Sequence, residues 1–296
     1  MKIIDEFLNQ MKEKDIVIHY LQVYHQNQVI GEFQRVKQKT RLNTYSASKS
    51  IKSMAIGIAI EEGLLSLQDP IYQYFDEIDF DQLDPLIKMI TIEHLLTMTS
   101  GLKEPLFFMD DEERYQTKDW IKYFFNSEFT FTPGTYFLYS NFHTYILGCI
   151  IEKVSKQTLV EYLTPRLFEP LGINSPDWLS CPKGHSTAAN SLMLTIDEMT
   201  KLGILLLQNG IYQNQTIVPT VYLKEATSIK VKEHHYGYQF WIDEKHHSYR
   251  AEGKYGQFII VVPDYQLVVT VQSFTDEFIY PMIWNQLIEP IIDDIK

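Results

Sequence analysis

A serine and a lysine three residues apart can share a proton when they lie one turn apart on the same helical face. The sequence contains three such pairs, Ser46/Lys49, Ser100/Lys103 and Ser180/Lys183. The second and third pairs are followed by Gly101 and Pro182, which indicate loops. Only Ser46 enters a strong apolar helix pattern, so we expect it to be a nucleophile with Lys49 as proton acceptor. The same pattern also fits an ordinary helix N-cap.

A phenol can join this chemistry if it lies close to the ammonium groups. The tripeptide Tyr139-Ser140-Asn141 follows Pro133-Gly134 and precedes a predicted helix, so Tyr139 can project from a turn into a cleft. An unperturbed phenol has a pKa near 10, and two neighbouring lysines would lower it. We therefore expect Tyr139 to transfer protons between flanking lysines. A second match, Tyr212-Gln213-Asn214, lies in a probable turn beside Gly210 and leaves an alternative open.

The third pattern is Lys254-Tyr255-Gly256, at the start of a predicted strand. The backbone N–H groups of Ser46 and Gln257 could stabilise an oxyanion, while Lys254 could bind a carboxylate or polarise Tyr139. Lys201-Leu202-Gly203 matches as well, but it lies inside a predicted helix. An exposed lysine at a strand end is the ordinary alternative for Lys254.

These residues need elements that bring distant parts of the chain together. Helical periodicity from Ser50 to Leu65 predicts a helix that Gly63 ends. The other predicted segments are a helix at 3–11, strands at 16–24, 28–33, 236–242, 257–262 and 267–273, and helices at 92–98, 118–125, 142–154, 159–168, 195–207 and 278–292. Strands near both termini indicate one antiparallel sheet with helices inserted between its parts.

We therefore predict an α/β protein of the α+β type. Residues 1–62 and 186–296 are expected to form a discontinuous sheet domain flanked by helices, and residues 63–185 an inserted all-α domain. A chain of 296 residues is long enough to bury a large core in this way.

Composition excludes several classes of function. The formal net charge is −12, from 26 basic and 38 acidic side chains, which opposes binding to nucleic acid. The acidic start and the absence of roughly 18 to 20 consecutive apolar residues argue against a signal peptide and a membrane span. With Cys149 and Cys181 as the only cysteines and no reason to pair them, we expect a cytoplasmic protein.

The three motifs together resemble the serine β-lactamase and penicillin-binding-protein superfamily, in particular its class C-like branch of esterases, D-amino-acid peptidases and β-lactamases. The resemblance extends from about residue 40 to residue 275. It also rests on the segments Glu62–Pro70, Ile92–Leu102, Glu169–Ile173 and Gly253–Gln257. The order of these segments is far more specific than any single motif.

The resemblance implies a β-lactamase/transpeptidase-like fold and a serine hydrolase that forms an acyl-enzyme. Ser46 would attack a carbonyl after Lys49 or Tyr139 takes its proton, and Tyr139 would protonate the leaving group and then activate water. Asn141 would orient the substrate amide and Lys49.

The family pattern has further implications for the ligands of this site. Substrates would be small esters, peptides or β-lactams, and neither a metal nor an organic cofactor is needed. Tyr255 departs from the family pattern, because a small hydroxyl residue often stands there and helps to bind a β-lactam carboxylate. The bulk of Tyr255 therefore argues against efficient β-lactam turnover.

Three other classes of function compete with this interpretation. A Ser-His-Asp hydrolase is disfavoured because the chain has no Gly-x-Ser-x-Gly segment. A zinc site is disfavoured because the pairs His234/His235 and His246/His247 are adjacent residues whose side chains diverge on a strand. A penicillin- or peptide-binding module, acting as a sensor with little or no turnover on the same scaffold, remains the alternative to an enzyme. The oligomeric state stays open.

Overall fold

A six-stranded sheet organises the molecule, for which a computed structural model describes residues 2–187 and 189–296. The strands of the structure are β1 (Val17–His25), β2 (Gln28–Gln34), β3 (Leu42–Asn43), β4 (Leu102–Glu104), β5 (Glu128–Phe129), β6 (Met193–Leu194), β7 (Ile211–Tyr212), β8 (Gln215–Thr216), β9 (Trp241–Asp243), β10 (Ser248–Gly253), β11 (Gln257–Val262) and β12 (Leu267–Phe274). The six-stranded sheet has the order β2-β1-β12-β11-β10-β9, with antiparallel neighbours. The prediction of an antiparallel sheet built from both ends of the chain is confirmed.

Helices cover both faces of this sheet. They are α1 (Lys2–Glu13), α2 (Ser48–Glu61), α3 (Ile92–Leu96), α4 (Glu113–Gln116), α5 (Trp120–Phe125), α6 (Asn141–Ser155), α7 (Leu159–Leu163), α8 (Ile196–Leu207), α9 (Thr220–Ala226), α10 (Tyr280–Ile283) and α11 (Glu289–Ile295). Most of these helices come from the middle of the chain, as the periodicity predicted. The predicted α/β fold of the α+β type is therefore confirmed.

The alternation of β-strand side chains connects the sheet to two apolar clusters. In β11, Ile259 and Val261 belong to the cluster that contains α2, α6 and α8, whereas Ile260 and Val262 belong to the cluster with α1, α10 and α11. Successive side chains of a strand point to opposite faces, which explains why this strand is apolar throughout. The sheet thus forms the middle layer between two layers of helices.

Helix α2 lies deep in the larger cluster, where it packs against α6, α9 and β10. Every residue from Ser48 to Ala59 is buried, so the polar side chains of this helix are buried as well. Two of them are Lys49 and Lys52, with exposed fractions of 1% and 0%. A buried ammonium is costly, and its proton affinity therefore falls unless a carboxylate compensates.

One part of the predicted sheet is wrong. The expected strand at 236–242 is reduced to β9, and β10 lies where no strand was predicted. β10 carries Arg250 and Glu252, whose Nε and Oε2 atoms form an ion pair 2.7 Å apart. Both charges fall on one face of the strand, and the short segment contains no Val, Ile or Thr, so its strand pattern is weak. The division into domains at residues 62 and 186 stays a prediction.

Two smaller expectations concern the cysteines and the membrane. Cys149 and Cys181 are both free and buried. Across the described residues, no helix combines the length and apolar character needed to cross a bilayer.

Candidate active site

Ser46 lies in a short 3-10 turn, Tyr45–Ala47, that connects β3 to α2. The N-cap of α2 is Ala47, which offers no side-chain cap, so Ser46 is not the N-cap that the sequence left open as an alternative. Tyr45, just before Ser46, has a φ of 47°, which is strained for a residue with a side chain. A hydrogen bond of 2.8 Å from Tyr45 N to Asn43 Oδ1 supports this conformation.

Lys49 follows one turn after Ser46 and reaches back to it. The Lys49 Nζ atom lies 2.9 Å from Ser46 Oγ, 2.6 Å from Asn141 Oδ1 and 3.1 Å from the Ala189 carbonyl oxygen. The Asn141 Oδ1 and Ala189 carbonyl oxygen atoms can only accept hydrogen bonds, so each takes one N–H group of the amine. The third position around the Lys49 nitrogen, which holds either a hydrogen or the lone pair, points at the Ser46 hydroxyl.

The protonation state of Lys49 decides what this contact can do. Burial lowers the pKa of Lys49 well below its ordinary 10.5, and the positive charge of Arg114 acts in the same direction. A neutral amine donates two hydrogens and keeps one lone pair. When the amine is neutral and donates to Asn141 and Ala189, its lone pair is directed at Ser46 and can accept the hydroxyl proton.

Tyr139 lies on the segment before α6, and Ser140 caps that helix by accepting a hydrogen bond from Phe142 N. The Ser46 hydroxyl is close enough to the phenol to affect the pKa of Tyr139. Its ring centroid is 4.8 Å from Lys49 Nζ, and it stacks on Trp241 at 5.6 Å. The structure therefore brings Ser46, Lys49 and Tyr139 into one cluster.

The expectation that neighbouring lysines lower the pKa of Tyr139 is wrong. Burial raises the pKa of Tyr139 above 10, and the negative charge of Glu252 adds to this, while the nearby Ser46 side chain opposes it. Neither Lys49 nor Lys254 is among the groups that shift the pKa of Tyr139. At neutral pH, Tyr139 therefore holds its proton and is a donor.

Asn141 is the first residue of α6, one residue earlier than the sequence predicted. Its Nδ2 atom donates to the Phe107 carbonyl at 2.9 Å, and its Oδ1 atom accepts from Lys49. Both ends of the amide are therefore fixed, which holds the Lys49 amine in place.

The Lys254-Tyr255-Gly256 segment forms the turn between β10 and β11 rather than the start of a strand. Tyr255 and Gly256 have φ values of 63° and 80°. A Cβ atom on the preceding Gly253 would lie 2.2 Å from the Thr44 carbonyl oxygen. Glycine at 253 thus lets this turn approach the turn that holds Ser46.

Lys254 and Gln257 occupy different positions around this turn. The side chain of Lys254 is 53% exposed, and its Nζ atom lies 3.8 Å from Asp110 Oδ2. Gln257 begins β11 and is buried, with Nε2 donating to the Ser273 carbonyl at 2.7 Å. Its side chain is therefore committed to the sheet, and only its backbone N–H remains as the predicted oxyanion donor.

A cavity of about 440 Å³ opens above these residues. Five of the predicted site residues line it, namely Ser46, Tyr139, Asn141, Lys254 and Gly256. The other two, Lys49 and Gln257, are buried beside the cavity and do not line it. The cavity is large enough for a small ester, peptide or β-lactam.

The other sequence matches lie elsewhere. Ser100 Oγ is 2.7 Å from His143 Nε2 in the core, while Lys103 and Lys183 form ion pairs with Glu128 and Asp119 rather than approaching a serine. Tyr212 belongs to the small hairpin β7–β8, and Lys201 donates to the Gly172 carbonyl oxygen. Geometry thus selects one match of each motif.

Several residues near the site were not found from the sequence. Arg114 is buried, with Nη2 3.4 Å from Asn190 Oδ1 and its guanidinium 4.6 Å from the Trp120 ring centroid. Asn190, Trp241 and Glu252 line the cavity. None belongs to a short motif, so nothing in the sequence signalled them.

No metal site of three or more His, Cys, Asp or Glu side chains occurs in residues 2–187 and 189–296. The adjacent histidines serve other contacts: the His234 ring stacks on Phe137 at 4.1 Å, and His246 Nδ1 lies 2.7 Å from Asp243 Oδ2.

The antiparallel sheet between helical layers, with a Ser46–Lys49 cleft at its edge, defines a protein of the β-lactamase/transpeptidase-like fold. The chain belongs to the Beta-lactamase family, whose model matches residues 4–278. The recognition made from the motifs is therefore confirmed.

Curated relatives agree with this assignment over part of the chain. The "Beta-lactamase" of Escherichia coli (strain K12) is 30% identical over 153 residues, which cover 52% of this chain and 38% of that protein. "Protein flp" of Staphylococcus aureus (strain MW2) is 28% identical over 134 residues, covering 45% and 27%. The matched regions thus span well under half of the length of these two relatives.

Solved structures show the same fold at low identity. A candidate 6-aminohexanoate-dimer hydrolase from Bacillus anthracis has a TM-score of 0.84 at 20% identity, covering 97% of this chain and 81% of that one. The octameric penicillin-binding protein homologue of Pyrococcus abyssi has a TM-score of 0.77 at 22% identity, covering 98% and 77%. A family VIII carboxylesterase has a TM-score of 0.73 at 15% identity, covering 93% and 91%.

Proposed function

We propose that the protein is a serine hydrolase that acts through an acyl-enzyme on a carboxylic ester, amide or β-lactam bond. The observation that carries this proposal is the environment of Lys49 Nζ, which lies 2.9 Å from Ser46 Oγ and has its other two contacts at hydrogen-bond acceptors. A buried amine held in this way is a base aimed at one hydroxyl.

In the first step, Ser46 Oγ forms a bond to the substrate carbonyl carbon as its proton passes to Lys49 Nζ. The backbone N–H groups of Ser46 and Gln257 stabilise the oxyanion. The close approach of the β10–β11 turn to Thr44, which Gly253 permits, supports this pairing of donors.

In the second step, the bond to the leaving group breaks and the leaving group takes a proton from Tyr139. The raised pKa of Tyr139 supports this role, because the phenol enters the reaction protonated. The proton on Lys49 then restores the phenol. Water attacks the acyl-enzyme, gives its proton to the same pair of groups, and Ser46 leaves with its hydroxyl proton restored.

The proposal is tested by replacing the nucleophile. Ser46→Ala should abolish hydrolysis of a nitrophenyl ester, whereas Ser180→Ala, at an exposed serine of another Ser-x-x-Lys match, should retain wild-type activity. Both variants should have the far-UV circular dichroism of the wild type. Ester hydrolysis by Ser46→Ala at the wild-type rate would refute the proposal.

The binding-module alternative is separated by intact-mass measurement. The protein is exposed to a fluorophosphonate or to a penicillin, and its mass is measured. A hydrolase that turns over the penicillin carries a protein–penicillin adduct that is transient. A permanent penicillin adduct would indicate a sensor, and no adduct with either reagent would indicate a binding module without this chemistry.

A further inference from the structure

The wall of the Ser46 cavity carries more negative than positive charge. Four carboxylates line it, and Lys254 is the basic side chain among the lining residues; the carboxylates are those of Asp110, Glu252, Asp276 and Glu277. Burial lowers the pKa of Lys49, which is not a lining residue, well below its ordinary value and so reduces the positive charge that it adds. The charge of the wall therefore depends on how far these carboxylates are paired.

Lys254 already has carboxylate neighbours. Its Nζ atom is 3.8 Å from Asp110 Oδ2. Although partial burial disfavours its charge, the negative charges of Asp110 and Asp276 raise the pKa of Lys254. A substrate carboxylate would compete with these acids for the ammonium and would approach them closely. Lys254 is thus a poor anchor for an anion.

Glu252 is the other paired acid, since its Oε2 atom accepts from Arg250 Nε at 2.7 Å. Asp276 and Glu277 are exposed, and within the described part of the chain neither has a basic partner at ion-pair distance. Four carboxylates against Lys254 and Arg250 leave an excess of two negative charges. The net charge of the whole chain, −12, has the same sign.

Aromatic rings complete the wall. Tyr45 and Tyr255 lie edge to face with their centroids 5.1 Å apart, and Trp241 and Phe278 line the same cavity. Aromatic faces attract organic cations, most strongly where water is partly excluded. This observation is independent of the carboxylates and points to the same kind of ligand.

We propose that this cavity selects acyl substrates that carry a positively charged amine and discriminates against those that carry a carboxylate. The inference rests on the proposed function, since it assigns a substrate class to the same site. It also assigns Lys254 a different role from carboxylate anchoring: the lysine pairs with Asp110, 3.8 Å away, and Asp276 acts on it through its charge.

The test uses three nitrophenyl esters with the same three-carbon acyl chain. Their chains end in a trimethylammonium group, in its neutral tert-butyl isostere, or in a carboxylate. We expect kcat/KM to fall in that order, with about tenfold between cation and carboxylate, since exposed charges are screened and weak individually. Higher ionic strength should reduce the ratio.

Two double variants that remove the same charge show whether the preference for cations arises at the cavity wall. The double variant Asp276→Asn/Glu277→Gln should lower the cation-to-carboxylate ratio about threefold or more. Asp293→Asn/Asp294→Asn removes the same charge from α11, which does not line the cavity, and should leave the ratio unchanged. An equal fall in both double variants would overturn the assignment to the cavity wall.

Binding separates this inference from the proposed function. The three matching N-methyl amides are titrated by calorimetry against Ser46→Ala, which cannot form the acyl-enzyme. The same order of affinity supports the inference even if no ester is turned over, whereas loss of turnover alone counts against the hydrolase. Preference for the carboxylate, reversed by Lys254→Met, would overturn the inference and restore Lys254 as an anion anchor.

Discussion

At the scale of single residues, Lys49 and Tyr139 have pKa values displaced in opposite directions by the same cause. Burial disfavours the charged form of both groups. It therefore favours an amine that can accept a proton and a phenol that keeps its proton and can donate it. The sequence placed both residues at the site, but it predicted the opposite direction for Tyr139. Burial at these positions depends on the packing of α2 and α6, which no local motif reports.

The positive charge of Arg114 provides a test of whether Lys49 is the base. The groups that face Lys49 or its phenol partner are Arg114, Tyr139, His143 and Glu252. Lys49 must be neutral to accept a proton, so kcat/KM should fall as the pH falls through its pKa. Arg114→Gln removes a positive charge and raises that pKa, so the acid limb should move to higher pH by about half a unit or more.

The pH–rate profile of kcat/KM for a neutral nitrophenyl ester measures this shift. Arg35→Gln removes an exposed guanidinium and should leave the limb in place. A folded Arg114→Gln protein whose acid limb matches the wild type would contradict the assignment of Lys49 as the base.

A second buried lysine affects stability. Burial lowers the pKa of Lys52 to about 7, and the negative charge of Glu152 opposes this. Among the described residues, Lys52 Nζ has no hydrogen-bond partner. Because the folded pKa lies below the unfolded value near 10.4, the unfolded state binds more protons between about pH 7 and 10, and stability from this group rises across that window.

Lys52→Met should therefore raise the free energy of unfolding at pH 7 by about 1–3 kcal/mol. The gain over the wild type should shrink as the pH rises toward 10, since the amine is then neutral in both states. Urea unfolding of the two proteins at pH 7 and pH 9.5 measures the difference. A variant that is less stable at pH 7 would show that Lys52 makes a favourable interaction.

At the scale of elements, the β10–β11 turn places Lys254 and Gln257 beside the Ser46 turn. Gly253 permits this contact, because an added Cβ would meet the Thr44 carbonyl oxygen at 2.2 Å and Ala47 N at 3.1 Å. The sequence singled out Lys254 and Gly256, but it placed them at the start of a strand rather than in a turn, and it missed β10. β10 (Ser248–Gly253) alternates in polarity, but it is short and contains no Val, Ile or Thr, so its strand signal is weak and its pairing emerges only in the assembled sheet.

Gly253→Ala should push the two turns apart. We expect kcat/KM to fall by about tenfold or more, since small displacements of reacting groups are costly, and the free energy of unfolding to fall by about 1–3 kcal/mol. Gly184→Ala is the control, because its φ of 88° makes the substitution strained although no atom lies within 4 Å. If Gly184→Ala lost as much activity as Gly253→Ala, general destabilisation would replace this explanation.

At the scale of the whole molecule, the larger apolar cluster joins parts of both predicted domains. It includes Ile51 of α2 and Val268 of β12 together with Leu95 of α3 and Phe124 of α5. We therefore expect one cooperative unfolding transition, in which tryptophan fluorescence and far-UV circular dichroism coincide in urea. Separate transitions would indicate that residues 63–185 unfold independently.

The motifs made the fold and the cluster of Ser46, Lys49, Tyr139 and Asn141 predictable, since each motif combines a local structure with a reactive group. The charge of the cavity wall was not predictable. Asp110, Glu252 and Asp276 come from separate loops and strands, and their proximity depends on the full three-dimensional packing. Arg114 likewise affects Lys49 only through that packing.

The most direct test of the hydrolase is to find the acyl group on the chain. A nitrophenyl ester is mixed with the enzyme, quenched with acid at short times, and the digest is mapped by mass spectrometry. Nitrophenolate leaves without help, so Tyr139→Phe should still acylate but should hydrolyse the acyl-enzyme about 100-fold more slowly. We predict acyl mass on the peptide that contains Ser46, transient in the wild type and persistent in Tyr139→Phe. Acyl mass on a different residue, or turnover without acyl mass in either protein, would contradict the account.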